Sequence, residues 1–114
     1  MRRTDREFLC DILEASTRIK SYINSLSYNE FLANIEKQDA VIRNIEIIGE
    51  ATKNLSDEFK NKYKEIEWKK ISGMRDKIIH FYFGVNLEIV WKVAKDEVPK
   101  LKEFIVKILE HYNK

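Results

Sequence analysis

Three side chains able to act on a phosphodiester lie close together in one stretch of this chain, namely Arg75, His80 and Tyr82. Arginine is always charged and can hold a phosphate through two parallel hydrogen bonds. Histidine titrates near neutral pH and can donate or accept a proton during a reaction. Because RNA carries its own nucleophile, the 2′-hydroxyl, its cleavage needs these functions and no metal ion. The stretch therefore suits phosphodiester chemistry on RNA.

The surroundings of Arg75 leave two explanations open. At about 100° per residue, a helical projection places Arg75 within an apolar stripe, where an unpaired charge is costly. The stripe consists of Trp68, Ile71, Ile78 and Tyr82. Arg75 either forms a structural ion pair with Glu46 or Glu50 on an earlier helix, or is held open for an anionic substrate.

His80 and Tyr82 do not share one helical face. On an ideal helix His80 is rotated about 140° from Arg75, whereas Tyr82 lies only about 20° away. Either the helix ends near His80, or the Arg75–His80 pair is completed across a dimer. Judged without further context, a lone histidine near a helix end is a capping or surface residue, and Tyr82 is an amphipathic interface residue.

The spacing of Arg75, His80 and Tyr82 resembles the signature of HEPN-domain ribonuclease toxins, specifically the HepT branch of the HepT/MntA toxin–antitoxin family. Further segments that resemble the same family extend the similarity over nearly the whole chain: Ile47–Ala51, Trp68–Arg75 and Val90–Trp91. The resemblance implies a HEPN-like helical bundle. It also implies a homodimer whose two motifs meet in a cleft along the interface.

The resemblance also implies a mechanism. Arg75 and His80 would be the catalytic residues of a metal-independent endoribonuclease that needs no cofactor and leaves a 2′,3′-cyclic phosphate and a 5′-hydroxyl. Asp76 would support them by orienting Arg75 or His80, or would be an exposed helix charge. Tyr82 would accept AMP groups from the cognate MntA nucleotidyltransferase antitoxin, and the added charge and bulk would exclude RNA.

A second polar stripe runs along the helix before the motif at spacings of four, three and four residues. It consists of Asp39, Arg43, Glu46 and Glu50. The ordinary explanation is a salt-bridge network facing solvent or a dimer partner. The stripe could instead line the cleft and pair with Arg75. A metal-nuclease interpretation lacks histidines or further acidic residues at suitable spacing.

The composition predicts an all-α protein. The chain has 114 residues, three glycines, one proline and 35% charged residues, which favours helices over a turn-rich sheet. We expect one HEPN-like domain over residues 1–114. The net charge of +2 places any RNA contact in a local site. We expect Cys10, the lone cysteine, to be a small core residue. We expect neither a signal peptide nor a membrane segment, and therefore a cytoplasmic protein.

Periodicity and capping signals predict an antiparallel bundle of four to five helices. Capping boxes start a first helix at Thr4 and a longer second helix that runs from Ser27 to about Asn54. The remaining expectations are a short helix over 56–63, a helix from Trp68 into the motif, and a helix capped by Asn86 that is kinked or restarted at Pro99 with Asp96 as a cap.

Two other functions fit the same residues. In one, a HEPN-like helical dimer only binds a nucleotidyltransferase or a nucleotide, and Arg75 and His80 recognise phosphate without cleaving RNA. In the other, the chain is a plain helical dimer whose motif residues are interface polar groups. In that case, His80→Ala would weaken the fold or dimer rather than abolish activity in a folded dimer.

Overall fold

The fold is built from helices, as the composition predicts. The computed structural model describes residues 3–78 and 86–112, and this part of the chain contains no β-strand. The helices are α1 (Asp5–Ile23), α2 (Tyr28–Leu32), α3 (Ile35–Asn54), α4 (Asp57–Lys62), α5 (Trp68–Ser72), α6 (Met74–Ile78), α7 (Leu87–Lys92) and α8 (Val98–Tyr112), with a π-helical segment, Val93–Glu97, between α7 and α8. The all-α class is confirmed. Within these ranges, none of the helices combines the length and the hydropathy needed to cross a membrane.

Both predicted capping boxes are present. The Thr4 side chain accepts a hydrogen bond from the backbone N–H of Glu7, and the Glu7 carboxylate accepts one from the backbone N–H of Thr4. Ser27 and Glu30 make the same reciprocal pair at the start of α2. Each box satisfies N–H groups that have no partner inside the helix, so these two helix starts are dictated by local sequence.

The single helix predicted from Ser27 to Asn54 is wrong, because the chain breaks between α2 and α3. The Asn34 side chain caps α3 by accepting a hydrogen bond from the backbone N–H of Lys37 at 3.0 Å. The buried Gln38 amide donates to the carbonyls of Phe31 and Leu32, at 2.9 and 3.1 Å. These bonds satisfy the last carbonyls of α2, so the break leaves few backbone groups unpaired.

The core forms where α1 packs against α3 and α8. Its largest fully buried side chains come from these three helices, from α2, α6 and α7, and from the π-helical segment. They are Phe31, Leu9, Ile12, Ile19, Ile45, Ile48, Ile78, Ile105, Val41, Val90, Val93 and Val98. Cys10 is partly buried and packs against this core, as expected. Burial of apolar area is the main contribution to stability, and α6, which packs against α3, contributes Met74 and Ile78 to the core.

The last part of the chain is helical from Leu87 to Tyr112 without interruption. Asn86 caps α7, as predicted, by accepting a hydrogen bond from the backbone N–H of Ile89. The prediction that Asp96 caps a restarted helix is wrong, because Asp96 lies inside the π-helical segment. Pro99 has no N–H to donate to a helical hydrogen bond. The helix adopts a wider π-helical turn just before this proline, where the N–H of Val98 bonds to the carbonyl of Val93.

Candidate functional site

The helix that carries Arg75 is placed by a close contact with α3. Gly73 separates α5 from α6, so the continuous helix predicted from Trp68 into the motif is interrupted. Trp68 is buried and donates its indole N–H to the Tyr63 carbonyl at 3.0 Å, which anchors the start of α5. A Cβ atom on Gly49 of α3 would lie 3.3 Å from the Ser72 carbonyl oxygen. The absence of a side chain at Gly49 therefore lets the end of α5 approach α3.

Arg75 is paired and exposed. Its Nε donates to the Glu46 carboxylate at 3.3 Å, while 52% of the Arg75 side chain and 29% of the Glu46 side chain remain accessible. Both predicted partners, Glu46 and Glu50, lie on α3, and Glu46 is the one that forms the ion pair with Arg75. The prediction that Arg75 points in the direction of the apolar stripe is wrong within this chain, because the break at Gly73 ends the helical projection from Trp68 and leaves Met74 and Ile78 as the buried side chains of α6.

Asp76 lies beside Arg75 but restrains it weakly. The Asp76 Oδ1 atom is 3.8 Å from the Arg75 Nη1 atom, and 70% of the Asp76 side chain is exposed. At that distance the contact is an ion pair without a hydrogen bond. Glu46 is thus the stronger of the two restraints on the Arg75 guanidinium.

Arg75 lines a cleft of about 380 Å³ between α1, α3 and α6. Its charged side chains are three arginines and three carboxylates: Arg3, Asp11, Arg43, Glu46, Glu50 and Arg75. The predicted polar stripe therefore contributes three of its four residues to the cleft. The fourth, Asp39, is exposed and lies outside the lining.

Two cleft residues, Arg3 and Asp11, were not predicted. Arg3 donates a 2.7 Å hydrogen bond to the Asp11 carboxylate and lies 3.6 Å from Glu7. The hydrogen bond with Asp11 raises the pKa of the Arg3 guanidinium above its ordinary value. No local signal could have revealed this placement, because Arg3 precedes α1, Asp11 has the pattern of an ordinary polar position of α1, and the packing of α1 on α3 brings both to the cleft.

His80 and Tyr82, the other two residues of the predicted site, lie outside the described residues. The structure thus places Arg75 and Asp76 of the predicted set. In residues 3–78 and 86–112, no group of three or more His, Cys, Asp and Glu side chains is arranged to hold a metal ion.

A larger groove of about 580 Å³ lies elsewhere, between α1 and the region from the π-helical segment into α8. Its floor is formed by small and apolar residues such as Ser16, Ala94 and Val98, and several lysines stand at its rim. It contains none of the predicted site residues. The chemistry expected of Arg75 therefore belongs to the smaller cleft.

The helical fold and the charged cleft define an all-α protein that presents an exposed arginine beside carboxylates. A family model described as Ribonuclease HepT-like matches residues 12–108 of the chain. The matched region covers all of the Arg75–Tyr82 motif. The chain therefore belongs to the HepT-like family.

Curated relatives agree with this assignment. The chain is 43% identical over 102 residues to "Probable ribonuclease HepT" from Thermococcus cleftensis, with 90% of this chain and 93% of the relative covered. It is 46% identical over 108 residues to a protein of Methanocaldococcus jannaschii named "Putative RNase", covering 92% of this chain and 89% of the relative.

A further relative is longer than this chain. It is named "Gamma-glutamylcyclotransferase and putative RNase", comes from Methanocaldococcus jannaschii, and is 47% identical over all 114 residues of the chain. The chain spans about half of that relative, 51% of its length. No solved structure gives a significant match.

Proposed function

We propose that this chain, as a single domain over residues 1–114, is a metal-independent endoribonuclease toxin of a HepT/MntA-type toxin–antitoxin system. The observation that carries the proposal is membership in the HepT-like family over residues 12–108, a range that contains Arg75, His80 and Tyr82. The names of the relatives, which refer to ribonucleases, support the same reaction. The exposed Arg75 guanidinium, held at one end by Glu46, is compatible with binding an RNA phosphate.

The proposed reaction is a transesterification within the RNA. The 2′-oxygen attacks the adjacent phosphorus and loses its proton to a general base, while the bond from phosphorus to the 5′-oxygen breaks. The departing 5′-oxygen takes a proton from a general acid, so the products are a 2′,3′-cyclic phosphate and a 5′-hydroxyl. Arg75 would bind the phosphate and stabilise its developing negative charge. In a homodimer, the two copies of His80 would share the acid and base roles.

Cleavage of a mixed RNA pool in excess EDTA tests the reaction. Wild-type protein whose mass shows it to be unmodified is compared with His80→Ala, and the new RNA ends are identified. The matched control is His111→Ala, because His111 is the only other histidine in the sequence and is exposed near the end of α8. We expect cyclic-phosphate ends from the wild type and from His111→Ala, and none from His80→Ala.

Two results would oppose the proposal. If the RNA stays intact with wild-type protein, or if His80→Ala cuts as well as the wild type, catalysis by His80 fails for this pool and the binding-partner function becomes the leading hypothesis. Circular dichroism and light scattering are needed on each variant. If His80→Ala loses its fold or its dimer, the histidine has a structural role instead.

We further propose that AMPylation of Tyr82 by the cognate nucleotidyltransferase silences the enzyme. Each added AMP brings negative charge and bulk to the residues expected to bind RNA, which would repel its backbone. Intact-mass spectra after co-expression with the nucleotidyltransferase test this idea. We expect AMP additions on the wild type and none on Tyr82→Phe, and a wild-type spectrum without additions would count against Tyr82 as the acceptor.

A further inference from the structure

Arg43 lies in the same cleft as Arg75 and on the same side of α3 as Glu46. Residues three apart on a helix are neighbours, with Cβ atoms about 5–6 Å apart. Because Glu46 accepts the hydrogen bond from Arg75 Nε, Arg43 stands about one helical turn from the Arg75–Glu46 pair. The two guanidinium groups therefore open onto one cleft from two different helices.

Arg43 differs from the other cleft arginines in its ion pairing. Arg3 is bonded to Asp11, and Arg75 is bonded to Glu46. Arg43 is exposed and makes no ion pair or hydrogen bond with any residue that the structure describes. It is thus the cleft arginine whose five N–H donors remain available to a ligand.

Of the three carboxylates in the cleft, Asp11 is paired with Arg3 and Glu46 with Arg75, so the carboxylate that makes no ion pair with a described residue is Glu50. It lies seven residues after Arg43 on α3, which corresponds to about 10 Å along the helix axis. Among the described residues, Arg43 and Glu50 are thus a cation and a carboxylate without ion pairs, and they lie on either side of Glu46 along α3. An extended anionic strand that binds Arg75 meets a cation in the direction of Arg43 and a carboxylate in the direction of Glu50.

We propose that Arg43 is a second phosphate-binding residue, which contacts an RNA backbone phosphate next to the phosphate bound by Arg75. This inference rests on the proposed function, since it takes RNA as the ligand of the cleft. Two arginines that open onto one cleft from different helices would set the direction of the strand and align the scissile phosphate. Arg43 contributes affinity and register, whereas proton transfer and charge stabilisation at the reacting phosphate stay with His80 and Arg75.

Binding of a short single-stranded 2′-O-methyl RNA to the unmodified protein tests the proposal. This probe keeps the phosphates and lacks the attacking hydroxyl, so it binds without being cut. The measurement is fluorescence anisotropy at several salt concentrations for wild type, Arg43→Gln and Arg43→Lys. The matched control is Arg18→Gln, which removes the same charge from an exposed position of α1 that lies outside the cleft.

Loss of one phosphate contact lowers the slope of log affinity against log salt by about 0.7 for a single strand. We expect this decrease with Arg43→Gln, together with binding about tenfold weaker at low salt and equal weakening across RNA sequences. Arg43→Lys keeps most of the slope because it keeps the charge, and Arg18→Gln keeps both slope and affinity. In cleavage of ordinary RNA, Arg43→Gln raises KM by a larger factor than it lowers kcat.

Three results would overturn the inference, and they separate its failure from that of the proposed function. If wild type binds and cleaves RNA while Arg43→Gln has the same slope as Arg18→Gln, Arg43 fails alone. If Arg43→Gln changes the molar mass in light scattering, Arg43 is a residue of an interface between chains. If the wild type neither binds the probe nor cuts RNA, the proposed function fails and this inference fails with it.

Discussion

Removal of the Glu46 carboxylate is expected to separate catalysis from stability. Glu46 accepts the hydrogen bond from Arg75 Nε at 3.3 Å and is the closest described restraint on that guanidinium. Glu46→Ala takes away this restraint and leaves Arg75 in place. Under the proposed function Glu46 is a positioning residue, because it acts on the substrate only through Arg75.

The effect on stability should be small. Both partners are partly open to solvent, at 52% for Arg75 and 29% for Glu46, and an ion pair in such a place contributes about 0.2–1 kcal/mol to folding. Glu46→Ala should therefore lower the free energy of unfolding by less than about 1 kcal/mol. The melting temperature should fall by no more than a few degrees.

The effect on catalysis should be larger. An arginine side chain carries about 2 kcal/mol of rotamer entropy, and Glu46 restrains a large part of it before substrate binds. If ordering the Arg75 side chain instead adds about 1–2 kcal/mol to the activation free energy, kcat falls about 5- to 30-fold. KM should stay constant or fall, because the variant has one fewer carboxylate to repel RNA.

A defined single-stranded RNA substrate, assayed at saturating and at limiting concentrations, gives kcat and KM separately. Glu46→Gln keeps an oxygen acceptor for Arg75 Nε and should retain more activity than Glu46→Ala. Glu50→Ala is the matched control, since it removes a carboxylate from the same helix and the same cleft and is not bonded to Arg75. We expect its kcat to stay close to that of the wild type.

The reasoning is refuted if Glu46→Ala keeps the kcat of the wild type while the protein is folded. It is also refuted if Glu50→Ala loses as much kcat as Glu46→Ala, because the effect would then come from the charge of the cleft. A fall of several kcal/mol in the free energy of unfolding would show that Glu46 has a structural role.

Two further predictions concern the scaffold. The backbone N–H and the hydroxyl of Ser27 lower the pKa of Glu30 below its ordinary value. The stability that Glu30 contributes is therefore complete above the unfolded-state pKa and is lost as pH falls through the lower folded-state pKa. Urea unfolding across the acid range should show this loss in the wild type and not in Glu30→Gln. Gly49→Val should lower the free energy of unfolding by about 1–3 kcal/mol, because the valine side chain would overlap the Ser72 carbonyl. As a control, Lys53→Val at an exposed position of the same helix should change the free energy of unfolding by about a few tenths of a kcal/mol. Equal effects from the two substitutions would contradict the close contact at Gly49.

Local sequence patterns were sufficient to predict the all-α class, the family and several helix ends. Caps such as Thr4, Ser27 and Asn86 are readable because each involves a side chain and an N–H group within the same three or four residues. The Arg75–Tyr82 motif is readable for the same reason, since its spacing is a property of one short segment. The roles of Arg75, Asp76, His80 and Tyr82 remain predictions.

Features that depend on how helices cross were decided by the tertiary structure. The sequence offered Glu46 and Glu50 as partners of Arg75, and the packing of α6 on α3 brings Glu46 to bonding distance. The break before Asn34 was missed because the Gln38 side chain, buried against the end of α2, satisfies carbonyls that a continuous helix would have satisfied itself. Local hydrogen bonds can be derived from sequence neighbours, whereas the partners of a charge or a buried amide are set by residues that only folding brings together.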